Sequence, residues 1–133
     1  MSSKSISIVL GLEATLEKVI PHDWTIAFFD PRMPAVLSTP AMIGLMEGAA
    51  ALAVEPALLP GTITLGTRIE VDHLKPCPAG GTVIAWAKLN QIEGKYLYFQ
   101  VEARYGALII GRGRVGRAIV ETKRFTARAG KAK

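Results

Sequence analysis

The chain is poor in the residues that bind metals or carry redox chemistry. Its 133 residues include one cysteine and two histidines. A lone Cys77 excludes an internal disulfide and suits a reducing compartment, so a cytoplasmic location is expected. Two histidines and one cysteine make no zinc pattern, and no metal is expected. Cys77 lies in a loop between Pro76 and Pro78, with little to mark it as a nucleophile. Aromatic residues are only 7% of the chain, too few for the stacking platforms of a single-strand binder. No nucleic-acid partner is therefore expected, despite a net charge of +5. No apolar run approaches the roughly 20 residues of a bilayer span, so no membrane partner is expected either. Ile6–Leu12 is short for a signal-peptide core and lacks a cleavage pattern. Repeats and linkers are missing. With half its residues hydrophobic, the chain is expected to form one domain over residues 1–133, its small basic end 126–133 fraying.

Acidic residues number only 11, and the place of one is unusual. Pro40–Val54 reads PAMIGLMEGAAALAV, and Glu47 is its only charged or hydrogen-bonding side chain. A carboxylate in such a stretch is costly to bury unless it is paired or has a task. The stretch reads as a helix. Ser38 and Thr39 are N-cap types, Pro40 suits the first helical position, and Glu55-Pro56 ends the run. Being apolar all round, the helix is expected to be buried all round. Gly44 and Gly48 leave one side slim, where another backbone could come close.

The remainder reads as strands of period two. Ile63, Leu65, Thr67, Ile69, Val71 and His73 should share the helix-facing side of Ile63–His73. Val83, Ala85, Ala87 and Leu89 point inward from Thr82–Ile92, and Leu97, Phe99, Val101 and Ala103 from Tyr96–Tyr105. Leu108–Phe125 is a last long strand. Leu12–Ile20 alternates more loosely, Lys18 intruding among Ala14, Leu16 and Ile20. Strands in series with short turns predict an antiparallel sheet, covered on one face by the single helix. His22, in a Pro-His-Asp turn, reads as a surface residue.

Two further features need weighing. Gly111-Arg-Gly-Arg-Val-Gly116 is a literal G-x-G-x-x-G, but strand continues after it and no helix follows, so the dinucleotide reading fails. The glycines mark a strand that something approaches closely. Cations crowd the final segment: Arg112, Arg114, Arg117, Lys123, Arg124, Arg128, Lys131 and Lys133 stand against Glu121 alone. Either they form a solvated edge and tail or they hold phosphates.

Ser38-Thr39-Pro-Ala-Met-Ile-Gly-Leu-Met-Glu47, Leu65-Gly66-Thr67-Arg-Ile-Glu-Val-Asp-His73 and Pro78-Ala-Gly80 together resemble the fluoroacetyl-CoA thioesterase group of hotdog-fold thioesterases. The resemblance runs from about Leu12 to Phe125. It implies an α+β hotdog fold, an antiparallel sheet wrapped around one long buried helix. It also implies a catalytic set at Thr39, Glu47 and His73, substrate contacts at Gly66 and Arg117, and pairing into a homodimer. The expected activity is hydrolysis of a small acyl-CoA to free acid and CoA, with no cofactor beyond the coenzyme A of the substrate. The family's last strand usually reads Gly-Thr-His-Glu-Arg, whereas this chain has Gly113-Arg-Val-Gly-Arg117. The lid phenylalanines of fluoroacetyl-specific members correspond to Asp30 and Met33, so the resemblance implies thioester chemistry rather than fluoroacetyl selectivity.

The residues suit that chemistry. A thioester carbonyl needs a nucleophile, a proton carrier and an oxyanion holder. Thr39 presents a hydroxyl at the positive end of the helix dipole, and N–H groups of that turn can face developing negative charge. His73 could act as general acid or base. Glu47 could orient His73 or attack the carbonyl itself. The sequence leaves Thr39, Glu47 and water open as nucleophile. Each residue also has a plain alternative: a cap, a strand-end histidine, an ion pair with Arg68 or Arg117. A non-catalytic ligand-binding module is the second reading. A hydratase is the third, without the Asp/His pair at the helix start that such enzymes show.

Overall fold

The computed structural model describes residues 8–131. Five strands form one antiparallel sheet: β1 (Glu13–Val19), β2 (Thr62–His73), β3 (Thr82–Glu93), β4 (Tyr96–Tyr105) and β5 (Leu108–Glu121), in the order β1-β3-β4-β5-β2. A short helix α1 (Ile26–Phe29) precedes the long helix α2 (Thr39–Val54), and α3 (Thr122–Lys131) follows β5. Helix α2 lies mainly across β1 and β3. Beneath it Val83, Ala85, Ala87 and Leu89 of β3 and Leu97, Phe99, Val101 and Ala103 of β4 are buried, as their alternation requires. Lys18 does face inward on β1, with its ammonium 4.6 Å from the Trp24 ring centroid.

Four expectations are corrected. Helix α2 is not buried all round: Gly44 and Leu52 are exposed. Gly48 admits the Leu16 side chain rather than a backbone. The last strand stops at Glu121, where its partner β2 begins at Thr62. Beyond that point no strand continues the ladder, and the segment satisfies its backbone as α3. The basic end is helical as far as Lys131; residues 132–133, like 1–7, lie outside the described residues.

The fourth correction concerns β2 and matters most. A bulge between Gly66 and Arg68 leaves Thr67 outside the pairing with β5. Side-chain parity flips there. Thr64 and Gly66 face α2 before the bulge, so Ile63 and Leu65 point to the outer face. After it, Ile69, Val71 and His73 share the inner face, opposite Val115, Gly113 and Gly111. Gly66 and His73, one even and one odd, thus lie on the same side of the sheet.

Candidate active site

Helix α2 begins one residue earlier than its proline suggests. Ser38 is the N-cap, and its hydroxyl accepts from the Ala41 N–H at 3.3 Å. Thr39 is the first helical residue, and its hydroxyl is spared from capping. Thr39 Oγ1 lies instead 2.7 Å from His73 Nδ1. This contact joins the helix start to the end of β2. His73 Nε2 is buried and has no hydrogen-bond partner among the described residues.

Glu47 sits eight residues further along α2, about 12 Å up the axis at 1.5 Å per residue. It does not touch His73 in this chain. Arg117 Nη1 donates to Glu47 Oε1 at 2.9 Å. Both side chains are largely withdrawn from water, 26% exposed for Glu47 and 10% for Arg117. Arg117 is fixed in turn by Thr64: Nε donates to Thr64 Oγ1 at 2.9 Å and Nη2 to the Thr64 carbonyl at 2.8 Å. Three charge-assisted bonds hold one guanidinium in place. Gly66 pairs with Arg117 in the ladder, and a Cβ built on it would lie 2.5 Å from Glu47 Oε2. Any larger residue would push that carboxylate out of position.

Thus the five sequence-derived site residues form two clusters. Thr39 and His73 make one; Glu47, Gly66 and Arg117 make the other. Along β2 they are separated by seven residues, roughly 20 Å of strand. Arg68, the other ion-pair candidate for Glu47, binds Glu70 at 3.2 Å on the outer face.

Comparisons with known proteins identify the family. The family model described as FlK, fluoroacetyl-CoA-specific thioesterase, matches residues 20–123. This chain belongs to the fluoroacetyl-CoA-specific thioesterase family. A fluoroacetyl-CoA thioesterase of Streptantibioticus cattleyicolor is 36% identical over 125 residues, 90% of each chain. A solved structure of the fluoroacetyl-CoA thioesterase FlK superposes with a TM-score of 0.88 at 34% identity, covering 95% of this chain and 98% of that one. A Thermus thermophilus member of the thioesterase superfamily superposes at 0.85 and 29% identity, covering 93% and 92%. The fold is the hotdog fold, and the chain is a thioester hydrolase.

In this thioesterase the remaining sequence candidates take plain roles. Arg112 and Arg114 are on the outer face, so they do not share the Arg117 site. Arg112 is registered with Asp72 and Glu102, and the Arg114 guanidinium lies 4.5 Å from the Tyr98 ring centroid. The glycine run serves packing: a Cβ at Gly111 would strike the Met42 sulfur, and one at Gly113 the Glu70 carbonyl. Cys77 is buried, and burial pushes its thiol pKa up, the opposite of an activated nucleophile. His22 is on the surface, its ring edge-on to Phe28. At the lid positions Asp30 is tied to Arg32 at 2.9 Å and Met33 is exposed. Sequence reasoning missed Thr64. An isolated threonine in an alternating strand carries no signal of its own, and only the fold brings Arg117 against it.

Among the described residues no helix is long and apolar enough to cross a membrane.

Proposed function

We propose that this thioesterase hydrolyses a small acyl-CoA to free acid and CoA at a site completed by two copies of the chain. The observation that carries this reading is the Thr39–His73 contact of 2.7 Å, beside a buried and unpartnered Nε2. A hydroxyl within reach of an imidazole is the geometry of an activated nucleophile. Thr39 Oγ1 attacks the thioester carbonyl and its proton passes to His73 Nδ1. The C–S bond then breaks, and the thiolate of CoA takes that proton as it leaves. Water, activated by the same imidazole, releases the acyl group as free acid. The oxyanion develops at the positive end of the α2 dipole, where Thr39 stands; Pro40 has no N–H, and Ser38 takes up those of Ala41 and Met42. No cofactor is needed beyond the CoA carried by the substrate.

A hydroxyl that donates to Nδ1 leaves the proton on Nε2, where it needs an acceptor. A second protomer supplies one. Strand β2 is an edge strand of twelve residues, and edges invite pairing. Its inner face is left bare by α2, with Ile69 41% exposed. Antiparallel pairing of β2 with its own copy, centred on Glu70, keeps inner residues opposite inner ones and, through the bulge at Thr67, sets Gly66 opposite the partner's His73. Glu47 Oε2 lies beside Gly66 and comes with it. Each complete site then takes Thr39 and His73 from one protomer and Glu47, Gly66 and Arg117 from the other. Glu47 accepts from Nε2 and orients the ring, while Arg117 holds Glu47.

Subunit mixing tests this. Thr39→Ala and Glu47→Gln homodimers should each be inactive. After denaturation and joint refolding, half the dimers are mixed, and each mixed dimer carries one intact site. Activity should return to about one quarter of wild type. No recovery would place the whole site within one chain. A monomer by sedimentation at micromolar concentration would refute the pairing.

A further inference from the structure

The outer face of the sheet carries a second cleft, of about 690 Å3, between α3 and strands β2, β4 and β5. Leu65, Ala118 and Tyr96 lie in register across β2, β5 and β4 and form its floor. Three cations line it: Lys95 from the β3–β4 side, and Arg124 and Arg128, four residues apart on α3. One acid, Glu121, lies among them, 3.6 Å from Arg124. Two large rings, Tyr96 and Phe125, line the same cleft and are exposed.

Cations around exposed rings suit a phosphorylated nucleotide. Guanidinium groups pair with phosphate oxygens, and aromatic faces stack on a base. The cleft is also joined to the site on the other face. Gly66 and the bulge residue Thr67 line it, and Gly66 is the residue that meets Glu47. Sheet layers pack about 10 Å apart, and an extended pantetheine arm is longer than that. The proposed pairing covers β2 from Gly66 to His73 but leaves its residues 62–65 uncovered, so a thioester held at Gly66 on the inner face can lead its nucleotide around that stretch of the edge to this cleft.

We propose that the cleft under α3 binds the nucleotide end of acyl-CoA, with Lys95, Arg124 and Arg128 on its phosphates and Tyr96 and Phe125 against its adenine. The proposal rests on the thioesterase reading for the substrate and adds where its nucleotide sits. It divides the cations of the final segment: Arg124 and Arg128 hold phosphates, while Arg112 and Arg114 remain on the solvated outer face.

The test compares two double variants of equal charge loss on the same exposed helix. Arg124→Gln/Arg128→Gln removes cleft cations; Lys123→Gln/Lys131→Gln removes cations that do not line it. Kinetics are measured with an acyl-CoA and with the matching acyl-pantetheine, and adenosine 3′,5′-bisphosphate is titrated calorimetrically. The arginine pair should lower kcat/KM for acyl-CoA relative to acyl-pantetheine by about tenfold or more, and weaken the bisphosphate by a similar factor. The lysine pair should change both ratios far less. Equal losses in the two double variants would mean long-range attraction only and overturn the proposal. So would unchanged bisphosphate binding in the arginine pair. A wild type that hydrolyses neither thioester refutes the activity, while the bisphosphate titration still decides the cleft.

Discussion

Arg117 reaches across from β5 to Glu47 on α2 and donates to it at 2.9 Å, joining residues seventy positions apart. The one carboxylate in an apolar helix is thus held by a guanidinium that is itself pinned by Thr64. Its second oxygen, Oε2, lies against Gly66. This arrangement fixes Glu47 in position and direction, as an orienting group requires. It also separates two roles for Glu47, structural partner and catalytic participant.

Glu47→Gln keeps the size and removes the charge. We expect a folded protein whose kcat is lower by about 10²-fold or more. Breaking the ion pair should also cost up to about 3 kcal/mol of stability, the range for a buried pair, reduced here by the residual exposure of Glu47. Melting temperature and kcat are to be measured on one preparation. Wild-type turnover in the folded variant would reduce Glu47 to a structural partner of Arg117.

Thr64→Val is nearly isosteric and deletes the hydroxyl that accepts from Arg117 Nε. Thr64 touches no substrate in this scheme and acts as a positioning residue. The loss should cost about 1–3 kcal/mol, because a buried donor is left unpaired. Turnover should fall while KM for acyl-CoA changes little, since the effect travels through Arg117 to Glu47. Thr64→Ser, which restores the hydroxyl, should recover kcat. A stability loss with normal kcat in the valine variant would show that Arg117 needs only its two other bonds.

Gly66→Ala adds a methyl group where Glu47 Oε2 lies. The strand backbone can accept alanine, so the fold should persist with a slightly lower melting temperature. The carboxylate must move, and kcat should drop by about tenfold or more, because small misplacements of an orienting group are costly. An active Gly66→Ala enzyme would mean that Glu47 tolerates displacement.

Cys77 gives a pH-dependent prediction. Its folded pKa is raised by burial, so the fold favours the neutral thiol. Above the ordinary thiol range the unfolded chain loses this proton while the folded chain keeps it. The contribution of Cys77 to stability is therefore complete below that range and lost as pH rises through the raised value. Alkylation by iodoacetamide at neutral pH should be slow in the native protein and fast after denaturation. Cys77→Ser should retain turnover per folded molecule; a large fall in kcat would give the thiol a role in the reaction.

Much of the fold can be read locally. Alternation sets the inward faces of β3 and β4, because each strand residue faces opposite its neighbour whatever lies around it. The composition of Pro40–Val54 sets the helix and isolates Glu47 as the residue needing a reason. Composition and the Thr39, Glu47, His73 spacing point to the family. Other features depend on partners distant in sequence. Ser38 and Thr39 are both cap types, and only the fold, with Ser38 capping and Thr39 against His73, shows which hydroxyl is spared. The partner of Glu47 is Arg117 rather than Arg68 because the two arginines lie on opposite faces of the sheet. The bulge at Thr67 arises from the pairing of β2 with β5, not from any residue of β2 alone. By reversing parity it brings Gly66 and His73 to one face, where a strictly alternating strand would have put them on opposite faces. The sequence by itself singled out Thr39, Glu47, Gly66, His73 and Arg117 as candidates and the elements that hold them. The tertiary structure decided their grouping into two clusters, Thr39 with His73 and Glu47 with Gly66 and Arg117, since grouping depends on strand register and on the line of one helix across the sheet.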